Sequence, residues 1–258
     1  ILTMAAKTKS ASAEVNAYAV ILAGGRGERF WPMSTHKRPK QLLSLVGDRT
    51  LIAQAVDRLE GFIPPERVFV ITNADLVDET RKAAPDLPAE NIIGEPMGKD
   101  TAAAAALGTA LVAARDPRGV VCILTADHII GKVKLFRQTL EESARLAASR
   151  PVIVTIGITP ADPSTAYGYI ETGAIATQNN GITFFQSKRF VEKPPHEKAV
   201  EYVQGGRHYW NSGMFVWAVD TFKNALVAHR PPLYAMMQRL LPEIGTKGFA
   251  AAFQREYD

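Results

Sequence analysis

The sequence predicts an α/β fold built on a doubly wound, mostly parallel sheet. Apolar, β-branched runs of strand length alternate with segments of helical periodicity through the first two thirds of the chain. Runs of this kind are typical of strands buried on both faces of a parallel sheet, with helices covering each face. A glycine loop at residues 23–27 directly follows the first run. Such sheets bind their ligands at that edge, beyond the carboxyl ends of the strands.

The elements follow from their apolar patterns. The near-continuous runs predict parallel strands at 18–22, 68–72, 120–125 and 152–158. The helical patterns predict helices at 51–59, 74–84, 101–114 and 135–149. Later runs around the turn 178–181 predict a smaller antiparallel region with strands at 168–172 and 183–191. The predicted order of elements ends with a short polar helix after residue 195, a strand at 210–219 and further helices. We interpret 18–258 as one domain and 1–17 as a disordered tail.

Composition limits the class of protein. With 258 residues, of which 47% are hydrophobic, the chain is long enough for one large α/β domain. Its formal charge of +4 suits phosphate-bearing small molecules, and without a nucleic-acid motif we expect no nucleic-acid partner. Cys122 is the single cysteine, which excludes a disulfide framework and favours a reducing, cytoplasmic location. Because no apolar run approaches about 20 residues, we expect no membrane partner.

The glycine loop has the chemistry of a phosphate site. Glycines directly after a strand let backbone N–H groups approach an anion. The cations Lys37, Arg38 and Lys40 follow, and Arg and Lys neutralise phosphate charge. The P-loop does not fit, because no Gly-Lys-Ser/Thr follows, and the dinucleotide fingerprint fails at Phe30. We therefore predict a nucleoside triphosphate site; the alternative is a glycine turn with a solvated basic face.

Residues 22–41 resemble the signature of sugar-1-phosphate nucleotidyltransferases. They match the mannose-1-phosphate guanylyltransferase branch, AGGxGxRFWPxSxxxxPKQ. The resemblance implies a Rossmann-like, glycosyltransferase-A-like fold and conversion of GTP and mannose 1-phosphate to GDP-mannose and pyrophosphate, with Mg²⁺. It implies that Arg29 binds the triphosphate and that Lys40 binds the phosphates at the reacting centre. The nucleotide-binding residues that it implies in this segment are Leu22, Ala23, Gly24, Gly25, Arg26 and Gly27.

Asp127 follows the predicted strand 120–125, and its carboxylate could hold Mg²⁺ against phosphate oxygens. The alternative is that Asp127 caps the next segment. The resemblance implies the metal role, which makes Asp127 a catalytic and metal-binding residue and puts Ala126 beside the nucleotide. His128 either supports the groups around the metal or is a core histidine whose ring is satisfied by hydrogen bonds, and we favour the second interpretation.

Residues 94–101 resemble the E-P-x-x-[RK]-[ND]-T-A segment of the family, which lies against the nucleotide near its base. The resemblance implies nucleotide contacts from Glu95, Pro96, Lys99 and Thr101, with Glu95 as one source of an acceptor for guanine. Asp100 stands where many relatives have asparagine, and its charge would repel a triphosphate unless it is paired or metal-bound. The alternative for this segment is a helix N-cap at Asp100 or Thr101.

Three further blocks resemble the sugar side of the family's site: T-x-Y-G-Y-I, F-x-E-K-P and W-N-S-G-x-F. Each is weak alone, because such turn chemistry is common, but they occur in the family's order. They imply that the sugar phosphate is bound by Tyr167, Gly168, Glu192, Lys193 and Asn211.

One block of these guanylyltransferases, S-I-D-Y-A, does not occur in the sequence. Its aspartate would be the second carboxylate for the metal, so we expect the C-terminal end to be incomplete. Two alternatives stay open: another sugar-1-phosphate nucleotidyltransferase that uses UTP, dTTP or CTP, and a non-catalytic regulatory subunit that binds a nucleotide sugar. A homo-oligomer is compatible with the sequence.

Overall fold

The computed structural model describes residues 15–25, 31–35 and 38–257. Its strands are β1 Ala17–Leu22, β2 Val68–Asn73, β3 Ile92–Glu95, β4 Val120–Thr125, β5 Val154–Ile158, β6 Tyr169–Asn179, β7 Ile182–Val191 and β8 His208–Ala218. Its α-helices are α1 Leu51–Asp57, α2 Val77–Ala83, α3 Thr101–Arg115, α4 Val133–Ser149, α5 His196–Gly205, α6 Val219–His229, α7 Pro231–Leu240 and α8 Phe249–Tyr257. The predicted α/β class is confirmed, and the first strand begins one residue before the predicted domain.

Within the described residues the eight strands form one sheet, in which seven follow the order β3-β2-β1-β4-β8-β6-β7 and β5 pairs with β8 outside this order. The first four strands of this order are mutually parallel. The remaining pairings, including that of β5 with β8, are antiparallel. The sheet is therefore divided into a parallel half and an antiparallel half, as the sequence predicts.

Helices cover both faces of the parallel half. Ala19 and Ile21 of β1 face a core that includes α1, α2 and α4. Tyr18 and Val20 face the opposite core, which includes α3, α6, α7 and α8. The alternation of side chains along β1 produces these two cores, because successive side chains of a strand point to opposite faces. In the part of the chain that the structure describes, no helix is long and apolar enough to cross a membrane.

Two strands differ from the sequence prediction. The run 152–158 contains β5, which was predicted as a buried parallel strand. It instead pairs antiparallel with β8 and is half-buried to exposed. Composition cannot separate the two cases, because β-branched residues favour both kinds of strand. The parallel strand β3 was not predicted, since its four residues are too few for a periodic pattern.

β8 pairs with strands of both halves of the sheet, and a gap lies between two of its neighbours. One edge of β8 pairs with β5 at both Phe215 and Trp210. On the opposite edge of β8, Phe215 pairs with Ile123 of β4 and Trp210 pairs with Tyr169 of β6. Along that edge β6 follows β4, so the end of β4 and the start of β6 face each other across residues 211–214 of β8. Gly168 and Asn211 of the sugar-side blocks lie at this gap.

Candidate active site

A cavity of about 350 Å³ lies at the carboxyl ends of β1, β3 and β4. It brings together ten of the predicted nucleotide or catalytic residues: Leu22, Ala23, Gly24, Gly25, Lys40, Glu95, Lys99, Thr101, Ala126 and Asp127. It also contains Asp100, for which the sequence offered a helix N-cap, and residues that sequence reasoning left unassigned, namely Gln41, Ile71, Gly98, Ala104 and Thr125. Pro96 is half-buried beside Glu95 and is not part of this lining. Arg26, Gly27 and Arg29 lie outside the described residues, so their roles stay predictions.

The start of the glycine loop is held rigidly. The Ala23 N–H donates to Ile71 O at 2.8 Å, and its carbonyl accepts from Gln41 Nε2 at 2.6 Å. Thr72 Oγ1 donates to the same carbonyl at 3.2 Å. Gln41 is buried, and its place in the motif PKQ was the signal that could have assigned it. These bonds fix where the loop leaves β1.

Gly24 keeps the cavity open. A Cβ added there would lie 3.7 Å from Glu95 Oε2 and 3.8 Å from Asn73 Oδ1. Those distances are ordinary contacts, so the protein itself would tolerate alanine. The added methyl would instead occupy space between the loop and Glu95, which supports the predicted need for close approach of a ligand to this backbone.

Lys40 and Asp127 meet at the cavity. Lys40 Nζ lies 3.3 Å from Asp127 Oδ2, and the two side chains are 22% and 47% exposed. Asp127 does not cap a helix as the alternative required, because α4 begins at Val133 with Lys132 as its N-cap. The pair therefore places one cation and one carboxylate where phosphates would enter.

Asp127 fits a magnesium ion that takes few protein ligands. Mg²⁺ usually keeps several waters and binds one or two carboxylates together with substrate phosphates. Among residues 15–25, 31–35 and 38–257, no group of three or more His, Cys, Asp or Glu side chains could hold a metal. A half-exposed carboxylate on an open cavity suits that limited coordination.

His128 is satisfied by a hydrogen bond, as predicted, but its side chain is 36% exposed, so it is not the core residue that was expected. Its Nδ1 lies 2.7 Å from Thr125 Oγ1, and its backbone carbonyl accepts from Arg58 Nη1 at 2.8 Å. Burial lowers the pKa of the imidazole, which the nearby Asp127 carboxylate opposes. The ring is therefore neutral at pH 7 and supports the end of β4.

Asp100 has both the capping role and a charge partner. Its side chain accepts from the Ala103 N–H at 2.9 Å and caps α3. Its Oδ2 lies 3.7 Å from Arg230 Nη2, at the end of α6. The capping interpretation is confirmed, and the pairing answers the concern that its charge would repel a triphosphate.

Glu95 is a buried acid in the wall of the cavity. It is the last residue of β3, and its Oε1 accepts a 2.7 Å hydrogen bond from Tyr257 Oη. Desolvation raises the pKa of this carboxyl group, and the hydrogen bond partly offsets that rise. Buried acids of this kind commonly mark functional sites.

The sugar-side residues form a neighbouring cluster. The Asn211 N–H donates to Gly168 O at 2.8 Å, and a Cβ on Gly168 would lie 2.7 Å from Glu192 Oε2. Lys193 Nζ lies 3.0 Å from Glu192 Oε1. The exposed Tyr167 ring packs 4.9 Å from Trp210, next to Asn211. All five predicted sugar-phosphate residues therefore lie together, on the antiparallel half.

The cluster approaches the cavity at the gap between β4 and β6 beside β8. Gly213 has a φ of +70°, and its N–H donates to Asn211 Oδ1 at 3.0 Å. A Cβ on Gly213 would lie 3.5 Å from Thr125 Cγ2, at the end of β4. This left-handed turn, which favours glycine, places the start of the sugar-side cluster next to Thr125, which lines the cavity.

The site combines a glycine loop at a strand end, a paired Lys and Asp, and a polar cluster beside them. This combination is typical of a nucleotide-binding α/β protein. The family model described as nucleotidyl transferase matches residues 18–249. The chain belongs to this nucleotidyltransferase family.

Similar proteins include an alginate biosynthesis protein AlgA of Pseudomonas syringae, 38% identical over 220 residues. A mannose-1-phosphate guanylyltransferase 2 of Escherichia coli O157:H7 is 37% identical over 230 residues. The matches cover 83% and 86% of this chain and 44% and 47% of those proteins. The chain thus spans about half the length of the curated relatives that it matches.

A solved structure described as a mannose-1-phosphate geranyltransferase from Thermus thermophilus superposes with a TM-score of 0.81 and 32% identity. The match covers 93% of this chain and 68% of that one. The fold predicted from the sequence is therefore shared with a solved relative over nearly the whole chain.

Proposed function

We propose that the protein makes GDP-mannose and pyrophosphate from GTP and mannose 1-phosphate. The observation that carries this proposal is the close approach of the two groups of residues at Thr125 and Gly213. A cavity that suits phosphates thereby lies next to a polar cluster that suits a sugar phosphate. The named guanylyltransferase among the relatives supports the choice of substrates.

In this reaction a phosphate oxygen of the sugar phosphate attacks the α-phosphorus of GTP in line. The new P–O bond forms as the bond to the departing pyrophosphate breaks, and the electron pair leaves with pyrophosphate. The attacking oxygen already carries charge, so no covalent nucleophile is required from the protein. Catalysis then depends on positioning and on charges aimed at the phosphates.

The chain's own residues supply these charges. Lys40 lies where the reacting phosphates would sit, and by resemblance Arg29 binds the triphosphate. Asp127 would hold Mg²⁺, which neutralises charge on phosphate oxygens when bound. The backbone of Gly24 and Gly25, both exposed to the cavity, would face the phosphates.

Glu95 is the proposed reader of the base. Guanine presents two donors on one edge, N1–H and the 2-amino group, whereas adenine presents an acceptor at N1. An ionised carboxylate accepts hydrogen bonds and repels an acceptor. Glu95 is buried beside the loop, so its second oxygen would favour guanine and disfavour adenine.

On the sugar side, Glu192 and Asn211 would bond to hydroxyl groups and Lys193 would face the sugar phosphate. Tyr167 and Gly168 would shape the surface against the ring. Since Cys122 is fully buried and unbridged, we place the reaction in a reducing compartment, the cytoplasm.

The test is pyrophosphate release with Mg²⁺ across a panel of nucleotides and sugars. GTP, ATP, UTP and dTTP are each supplied with mannose 1-phosphate or glucose 1-phosphate, and without sugar. We expect release with GTP and mannose 1-phosphate together. Preference for UTP or dTTP would assign a different nucleotidyltransferase reaction. GDP-mannose binding without release from any pair would assign a regulatory binding role.

A further inference from the structure

Tyr257, from a distant part of the chain, holds the Glu95 carboxylate. Its Oε1 accepts from Tyr257 Oη at 2.7 Å, and both side chains are buried. Its Oε2 faces the space above Gly24, 3.7 Å from where a Cβ of that glycine would be. One oxygen is thus occupied within the protein, while the other is directed to the glycine loop.

Contacts on several sides hold the Tyr257 ring in place. Phe253 packs against it edge-on, with ring centroids 4.6 Å apart. Lys99 Nζ lies 4.6 Å above the ring and donates to Glu256 O at 3.1 Å. Arg239 of α7 binds the Glu256 carboxylate through two hydrogen bonds of 2.6 Å. These contacts at the end of α8 therefore hold the phenol of Tyr257 against Glu95.

Tyr257 is the donor and Glu95 the acceptor of their hydrogen bond. Burial and the neighbouring Glu95 charge raise the pKa of the phenol far above neutrality, so Tyr257 keeps its proton and acts as the donor. A carboxylate with one oxygen fixed in this way loses freedom about its terminal torsion. Its second oxygen is then fixed in direction before a nucleotide arrives, which lowers the entropy cost of binding.

We propose that Tyr257 is a positioning residue for purine selection, which orients Glu95 so that its second oxygen accepts from guanine and rejects adenine. The inference rests on the proposed function, in which Glu95 reads the base. Tyr257 acts only through Glu95 and is not expected to touch the phosphates. Its loss should therefore alter selectivity among purines more than affinity in general.

The test compares Tyr257→Phe with wild type by calorimetric titration of GTP, ITP and ATP. ITP retains N1–H and lacks the 2-amino group. We expect Tyr257→Phe to weaken GTP binding about tenfold, on the scale of a lost hydrogen bond to a charged group. The affinity for ITP should fall by a smaller factor, and the affinity for ATP should change by less than twofold. Tyr234→Phe is the matched control, because Tyr234 packs against the core cluster that contains Tyr257, and it should leave all three affinities unchanged.

The Glu95→Gln variant separates an effect of Tyr257 on the orientation of Glu95 from an effect of Tyr257 on folding. Selectivity for GTP over ATP should fall in this variant, and adding Tyr257→Phe to it should lower selectivity no further. Equal weakening of GTP and ATP by Tyr257→Phe, or an unchanged GTP affinity, would overturn the inference while the wild-type preference for GTP stands. A wild-type chain that shows no preference for GTP would overturn the proposed function, and this inference with it.

Discussion

Replacing Lys40 with methionine should abolish most turnover while leaving the fold intact. Methionine keeps most of the length and apolar stem of lysine and removes the charge. Lys40 Nζ lies 3.3 Å from Asp127 Oδ2. At that distance a unit charge interacts with another by about 1 to 5 kcal/mol for effective dielectric constants of 80 to 20.

The same charge matters differently for stability and for catalysis. Partly exposed pairs contribute only about 0–1 kcal/mol to folding, because solvent screens them. A fixed charge aimed at a transition state is worth more, about 2.7–4 kcal/mol for one lost contact. We therefore expect kcat to fall about 100- to 1,000-fold, with little change in Tm.

The assay is sugar-dependent pyrophosphate release at saturating GTP, with Tm measured in parallel. Lys82→Met is the matched control, because Lys82 also forms a lysine–carboxylate pair, with Glu79 at 2.6 Å, on exposed α2. That variant should keep the wild-type kcat. Retention of kcat within about threefold in Lys40→Met, or an equal loss in Lys82→Met, would refute the catalytic role assigned to Lys40.

Three further predictions concern the cavity wall. Glu95→Gln should raise Tm at pH 8 and leave it unchanged near pH 4. Because folding raises the pKa of Glu95, this residue stabilises the fold below its unfolded-state pKa, and that contribution is lost as pH rises through its folded-state pKa. An equal shift of Tm at both pH values would contradict the prediction. Asp100→Ala should cost about 1 kcal/mol of unfolding free energy in urea titration, since it removes the cap on α3; Asp100→Asn should keep most of it, and equal losses would argue against the cap. Gly24→Ala should keep the wild-type Tm but weaken GTP binding at least about tenfold, because its methyl fits the protein and occupies ligand space; unchanged affinity in calorimetry would place the nucleotide elsewhere.

Much of the site could be predicted from local sequence. The apolar run of β1, the glycines that follow it and the strand end before Asp127 are contiguous patterns, so the cavity lining was largely foreseen. The N-cap at Asp100 was also foreseen, because capping depends on the residue and its next few neighbours. The direction of β5 was not, since a short β-branched run pairs either way and only its neighbours decide.

Other features depend on residues far apart in the chain. Tyr257 and Glu95 are separated by 162 positions, and Asp100 and Arg230 by 130. No periodic pattern connects such pairs, because their contact depends on how α7 packs against α3 and how α8 packs against α7. Gln41 is intermediate: its motif was visible, but its bond to the Ala23 carbonyl was not.

The sequence by itself determined the fold class, the family resemblance and the residues that line the two groups of the site, because these depend on local periodicity and fixed spacing. Only the tertiary structure decided that the groups meet at Thr125 and Gly213, that Asp100 is paired and that Tyr257 holds Glu95. The physical reason is that hydrogen bonds and ion pairs depend on distances between atoms, and packing alone sets those distances between remote segments.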